Sequence, residues 1–242
     1  MNPPYTVAQV LAATGPILLD FDGPICAVFA TIPDHTVAAK LRRILAAHNV
    51  DIPPNIQAEK DPLAVLRFTA TIGSPDLITK VENELCAAEL VAIDGAKPTP
   101  HAREVIVAAN RAGRPVAIVS NNSAAAINRY LDAHRLTRYI TAVVGRAHAD
   151  PTRMKPNPEP ILHAVQAVNA KPSACVLIGD SLSDIEGGRA AQVCTIGYAN
   201  KADKRELLIQ AGACAIVEGI DGMVVVAQVL QGLTMTSGNY TR

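Results

Sequence analysis

Residues 17–24 read Ile-Leu-Leu-Asp-Phe-Asp-Gly-Pro. A short apolar run without polar alternation is the pattern of a strand buried on both faces. Here it ends abruptly in two acids and an Asp-Gly turn signal. The same sentence recurs along the chain. Val116–Val119 runs into Ser120-Asn121-Asn122, and Val176–Ile178 into Gly179-Asp180-Ser181-Leu182-Ser183-Asp184. Ala142–Val144, Val193–Ile196 and Ala215–Val217 have the same apolar, strand-like character.

Between these runs lie segments of helical period with readable starts. Thr99-Pro100 opens one that stops at Gly113, and Asn157-Pro158 opens another through Ile161–Val168. Strands alternating with helices predict an α/β fold with a parallel sheet covered by helices. The alternation breaks only after the first strand. Val37, Leu41, Ile44, Leu45 and His48 share one helical face, Asp61-Pro62 opens Leu63–Ile72, and Ser74-Pro75 opens a third helix through Leu90. Residues 25–96 are therefore expected to be a helical insertion, with 1–24 and 97–232 as the α/β core and 233–242 as a flexible tail.

Composition narrows the function classes. The 242 residues are 49% hydrophobic, with 22 basic and 22 acidic side chains. That excludes wholesale disorder and gives no basic footprint for nucleic acid. Aromatics are 3% with no Trp, which disfavours a base-stacking surface. No apolar run reaches the length of a membrane span, and the start MNPPYTVAQV has no secretory pattern, so a cytoplasmic protein is expected. The five Cys form no C-x-x-C pair and are expected to be small buried hydrophobes in a reducing compartment. Neither a G-x-G-x-x-G fingerprint nor a G-x-x-x-x-G-K-[ST] loop is present, so nucleotide-binding readings are weak.

In an open parallel sheet, ligands bind at the carboxyl edge of the strands. Four polar stretches fall there. Of Asp20 and Asp22, one carboxylate can be a nucleophile and the other a general acid/base, although an Asp-Gly turn gives the same letters. Ser120-Asn121-Asn122 offers a hydroxyl and helix-start amides for a phosphate, or simply a cap for the helix from Ala124. Lys155 stands in a proline-stiffened loop, Lys-Pro-Asn-Pro, where an ammonium can offset clustered negative charge. Asp180 and Asp184 can face one oxygen-liking cation, or Asp184 can cap the next helix. Four carboxylates on one edge repel unless a cation and Lys155 compensate, which points to a divalent metal such as Mg²⁺.

With these four stretches in order, the sequence resembles the haloacid dehalogenase superfamily, specifically its Mg²⁺-dependent phosphatases. The motifs are DFDGP at 20–24, SNN at 120–122, KPNP at 155–158 and GDSLSD at 179–184. The insertion resembles the helical cap of the phosphoglycolate phosphatase and β-phosphoglucomutase branch. The resemblance implies a Rossmann-like three-layer core with an inserted helical cap domain, and a phosphomonoesterase acting on a small soluble phosphate ester through an aspartyl-phosphate. It implies Asp20 as nucleophile, Asp22 as acid/base, Ser120, Asn121 and Lys155 on the phosphoryl group, and Asp20, Asp22 (through its carbonyl), Asp180 and Asp184 on Mg²⁺. The partner implied is a small phosphorylated metabolite, with no nucleic acid and no membrane. A phosphomutase, or a catalytically weak member that binds a phospholigand, fits the same motifs. One departure stands out: Pro24 occupies the place where the family usually has Thr or Ser.

Overall fold

The computed structural model describes residues 2–237. A helix, α1 (Val7–Ala13), capped by Thr6, leads into β1 (Ile17–Leu19) at the centre of the sheet. A two-residue strand, β2 (Cys26–Ala27), precedes four helices: α2 (Asp34–Ala47), α3 (Pro54–Gln57), α4 (Pro62–Thr71) and α5 (Pro75–Ala92). Then follow β3 (Lys97–Pro98), α6 (Ala102–Arg111), β4 (Val116–Val119), α7 (Ala124–Ala133), β5 (Ala142–Val144), α8 (Glu159–Ala167) and β6 (Val176–Gly179). The chain continues through α9 (Leu182–Ala190), β7 (Cys194–Ala199), α10 (Lys204–Ala211), β8 (Ala215–Glu218) and α11 (Met223–Ser237).

Six strands form one sheet in the order β5-β4-β1-β6-β7-β8, and every neighbouring pair is parallel. Ile17, Leu18 and Leu19 pair with Val116–Ile118 on one side and Val176–Ile178 on the other. Alternate side chains leave a strand on opposite faces. Ile17 and Leu19 join a large apolar cluster with residues of α1, α6, α7 and α11, while Leu18 joins a second cluster built with α8. Helices thus cover both faces, which makes the α/β three-layer core. The chain leaves β1 for β4 on one side and returns to β6 on the other. The strand order therefore reverses around β1, and a crevice opens beyond the carboxyl ends of these three strands.

Helices α2, α4 and α5 gather around their own apolar cluster, including Leu41, Leu45, Leu66, Val81 and Leu85, to which the core loop adds Met154. Their starts follow the sequence signals. Asp61 accepts from the Leu63 amide ahead of Pro62, and Ser74 accepts from the Leu77 amide ahead of Pro75. The short strands β2 and β3 pair antiparallel where the helical segment leaves and rejoins the sheet.

Several local expectations need correction. The helix after Thr99-Pro100 begins at Ala102, because His101 takes a left-handed conformation (φ 62°) and delays helical geometry. Thr99 instead donates its hydroxyl to the Gly23 carbonyl, 2.5 Å away. Likewise α8 starts at Glu159, with the Asn157 side chain accepting from the Glu159 amide. Helix α11 runs to Ser237, so 233–237 continue an apolar-rich helix where a flexible tail was expected; 238–242 lie outside the described residues. Finally, Cys194 and Cys214 form a disulfide, so only Cys26, Cys86 and Cys175 are free thiols. The pair is 20 residues apart in sequence and meets only because β7 and β8 are neighbours.

Candidate active site

Each strand of the central trio ends by delivering a polar group to the same crevice. Asp20 follows β1, Ser120 follows β4 and Asp180 follows β6. The Asp20 amide still bonds the Ile178 carbonyl and the Ser120 amide the Val144 carbonyl, so the ladder fixes both residues past the strand ends.

Lys155 is the hub. Its side chain is 1% exposed, and its ammonium donates to Asp20 Oδ1 at 2.9 Å, to Asp184 Oδ1 at 2.5 Å and to the Val119 carbonyl at 2.8 Å. All three ammonium donors are thus used inside the protein. The Lys155 backbone is held as firmly. Its amide donates to Asn121 Oδ1 and its carbonyl accepts from Asn121 Nδ2, at 2.9 and 3.1 Å. Both side-chain groups of Asn121 are therefore spent on Lys155, which leaves its backbone amide as the group that can face a phosphate. Ser120 Oγ bonds Asn122 Oδ1 and accepts from the Asn122 amide, and Ser123 caps α7.

One oxygen each of Asp20, Asp180 and Asp184 lies within 4.8 Å of the other two. An all-oxygen donor set of this size suits a hard divalent cation. The Asp22 carboxylate stands apart from the cluster and accepts from the Val28 amide at 2.9 Å. Asp184 also completes a capping box with Ser181 at the start of α9. Asp180 Oδ2 accepts from Asn200 Nδ2 and is in contact with the Lys204 ammonium. Gly23, at φ 106°, closes the turn over this group: a Cβ there would lie 2.4 Å from the Asp180 carboxyl carbon.

The electrostatics follow from this crowding. Burial, then the neighbouring Asp184, lift the Asp20 carboxyl to about 7, against the pull of Lys155. Half-buried Asp22 is lifted to about 6, chiefly by desolvation, with the Val28 amide opposing. Burial pushes the Lys155 ammonium down, but Asp184 and Asp20 outweigh it and hold the proton more tightly than usual. Raised carboxyl pKa values mean that the fold binds protons which the unfolded chain releases near pH 4. In EDTA, these two groups should make stability fall as pH rises from about 4 to 7. The check is Tm in EDTA across that range for the wild-type chain and for Asp20→Asn/Asp22→Asn. The wild-type curve should fall more steeply, and parallel curves would show that neither group carries the penalty.

The crevice encloses about 400 Å³. Its floor is the carboxylate–lysine group, and one wall comes from the helical segment through Asp61, Leu63 and Arg67. Arg67 donates to the Lys155 carbonyl at 3.2 Å and so bridges α4 to the floor. Arg67 lies on α4, and nothing in the letters of that helix gives it a direction. Asp61 was legible only as a helix cap, and Lys204 carried no signal at all.

A central-strand carboxylate, a buried lysine bridging it to a second acid, and a hydroxyl turn meet at one edge of a doubly wound α/β sheet. A family model for haloacid dehalogenase-like hydrolases matches residues 17–192. The chain belongs to that family. Phosphoglycolate phosphatase of Escherichia coli (strain K12) is 28% identical over 107 residues, 44% of this chain and 42% of that protein. The match thus spans less than half the length of the curated relative. Among solved structures, a "predicted phosphatase" from Clostridium acetobutylicum superposes with a TM-score of 0.66 at 18% identity, covering 90% of this chain and 99% of that one. A "predicted phosphoglycolate phosphatase" from Haemophilus somnus 129PT gives 0.60 at 16% identity over 90% and 100%. Both likenesses speak to the fold.

Proposed function

We propose that the protein is a Mg²⁺-dependent phosphomonoesterase that hydrolyses a small, soluble phosphate ester through an aspartyl-phosphate on Asp20. The observation that carries this reading is the buried Lys155 ammonium bridging Asp20 and Asp184. Asp180 and the Ser120 turn line the same crevice.

Asp20 attacks phosphorus, and the bond from phosphorus to the ester oxygen breaks. The leaving oxygen takes a proton from Asp22. Asp22 then accepts a proton from water, whose oxygen attacks phosphorus and releases phosphate and the Asp20 carboxylate. A carboxyl raised to about 6 suits both roles near neutral pH. Lys155 holds the nucleophile's plane and offsets its charge, and Ser120 with the following amides receives the phosphoryl oxygens. Asp20, Asp180 and Asp184, with the Asp22 carbonyl, would hold Mg²⁺. The donor set fits: three carboxylates offer oxygens within 4.8 Å of one another, and the ammoniums of Lys155 and Lys204 leave one negative charge uncompensated. When bound, the ion supplies positive charge to these carboxylates and to the transferring phosphoryl group. The helical segment 25–96 acts as a cap whose α4 wall limits substrate size and excludes water. The substrate is a phosphorylated metabolite. No helix among the described residues is long and apolar enough to cross a membrane.

The test is phosphate release from a panel of phosphoglycolate, sugar phosphates, nucleoside monophosphates and an aryl phosphate, in Mg²⁺ and in EDTA. Release is expected in Mg²⁺ only. Isomerisation of a sugar phosphate faster than its hydrolysis would replace the esterase with a mutase, and a folded but inert protein would leave a binding role. Mg²⁺ should also stabilise the fold. At about one hundred times its Kd it adds roughly 2.7 kcal/mol. For a chain of this size that raises Tm by about 5–11 °C. Differential scanning calorimetry with Mg²⁺ or EDTA reads this directly, and an unchanged Tm would sink the metal site.

A further inference from the structure

Arg146 follows Gly145 beyond the end of β5, and its side chain is fully buried. Its guanidinium is met by two carboxylates of α5, Glu82 and Glu89, both 1% exposed. They are seven residues apart, two helical turns, and so share a face. Arg146 Nε lies 2.9 and 3.1 Å from the Glu82 oxygens, and Nη1 lies 2.8 Å from Glu89 Oε1. This buried ion-pair cluster lies outside the catalytic group described above.

Cys86, between the two glutamates on α5, also touches Arg146 Nη2 at 3.6 Å and donates to Glu82. The other bonds of the cluster run to one turn. Arg146 Nη1 donates to the Asn121 carbonyl at 2.5 Å, and the Arg146 amide donates to the Asn122 carbonyl at 2.8 Å. Glu89 accepts from the Ser123 amide at 2.9 Å and from Asn122 Nδ2 at 3.3 Å. Gly145 permits the approach: a Cβ there would lie 2.5 Å from the Ala124 nitrogen. The turn 121–123 is thus gripped by an arginine of the core and a glutamate of the helical segment. That same turn holds Ser120 Oγ through Asn122 and both backbone groups of Lys155 through Asn121.

A buried ion pair is a weak way to gain stability, since well-packed apolar residues often do as well. What apolar packing lacks is directed bonds to backbone carbonyls and amides. We infer that Arg146 and Glu89 are positioning residues, through which helix α5 sets the places of Ser120 and Lys155. The phosphoryl-binding geometry is then built jointly by the helical segment and the core. The inference rests on the phosphomonoesterase reading.

Two variants test it, on the best ester of the panel in Mg²⁺. Arg146→Lys keeps the charge and loses the planar fork. Glu89→Gln keeps the shape and loses the charge, and stands in if the arginine variant does not fold. Each should lower kcat by about 10–100-fold, as expected for a small misplacement of reacting groups. KM should change far less, and far-UV circular dichroism should be unchanged. Arg129→Ala removes an exposed ion pair to Asp94, another link between the helical segment and α7, and should leave kcat unaltered. If Arg146→Lys and Glu89→Gln lower Tm but keep wild-type kcat below it, the cluster is only a clamp and the inference is overturned. A second readout needs no turnover. Exchange of the Lys155 amide hydrogen, which bonds Asn121, should speed up in Arg146→Lys. Faster exchange in a chain inert on every ester would uphold the positioning and fault the esterase reading. Unchanged exchange at Lys155 would overturn the positioning itself.

Discussion

Asp20→Asn should lower kcat on the preferred ester by about 10⁴-fold or more, the scale seen when a nucleophile is removed from a working constellation. The substitution keeps the side chain's shape and leaves Lys155 bonded to Asp184 and to the Val119 carbonyl. Loss of turnover would therefore reflect chemistry rather than collapse. The same variant should be no less stable in EDTA at pH 8. Asp20 must ionise there against burial and the neighbouring Asp184, so its charge costs the fold free energy. An inactive chain with an equal or higher Tm is the expected pair of results, a trade of stability for function. Turnover within about tenfold of wild type would remove Asp20 from the nucleophile's role.

Lys155→Met should be the most damaging change to stability. It keeps the stem's length and apolar character but strips the cation from a site where Asp20 and Asp184 are 7% and 0% exposed. Removing one partner of a buried pair costs about 3–5 kcal/mol, because the other is left uncompensated. That corresponds to a fall in Tm of roughly 6–20 °C for a chain of this size. Calorimetry at pH 8 in EDTA gives the full effect, and Mg²⁺ should recover part of it by supplying the missing charge. Activity should fall as well, since Asp20 without Lys155 holds its proton more tightly and is a poorer nucleophile at neutral pH. A Tm within about 2 °C of wild type would mean that the two acids do not depend on this ammonium.

The strands and the four polar stretches were legible because both follow from local chemistry. Ile17–Leu19, Val116–Val119 and Ala142–Val144 are strands over the same residues that the apolar runs mark. A parallel strand buried on both faces leaves no polar letter inside it, so its ends are sharp. The acids, hydroxyl and lysine that follow these runs converge because the sheet's topology brings its carboxyl ends together. Helix starts were less secure. Thr99-Pro100 reads as a cap, yet Thr99 is engaged with Gly23, and a left-handed His101 moves the helix on.

Long-range pairings left no trace in the letters. Lys204 reaches Asp180 from 24 residues away, and Arg146 reaches Glu82 from 64. A single Lys or Arg on a helix or loop looks like a solvated surface group until the partner is in place. The disulfide between Cys194 and Cys214 is of the same kind. The bond of the Asn121 side chain to the Lys155 backbone is another pairing of this kind, 34 residues apart in sequence.

The proposed mechanism turns on a covalent phosphoryl group on Asp20. Rapid mixing with the preferred ester and Mg²⁺, acid quench within the first turnover, and peptide mapping by mass spectrometry address it directly. The expected result is a phosphoryl group on the peptide containing Asp20, absent in Asp20→Asn and absent when EDTA replaces Mg²⁺. Phosphate release at the wild-type rate with the label on another residue, or with Asp20→Asn still labelled and turning over, would contradict it.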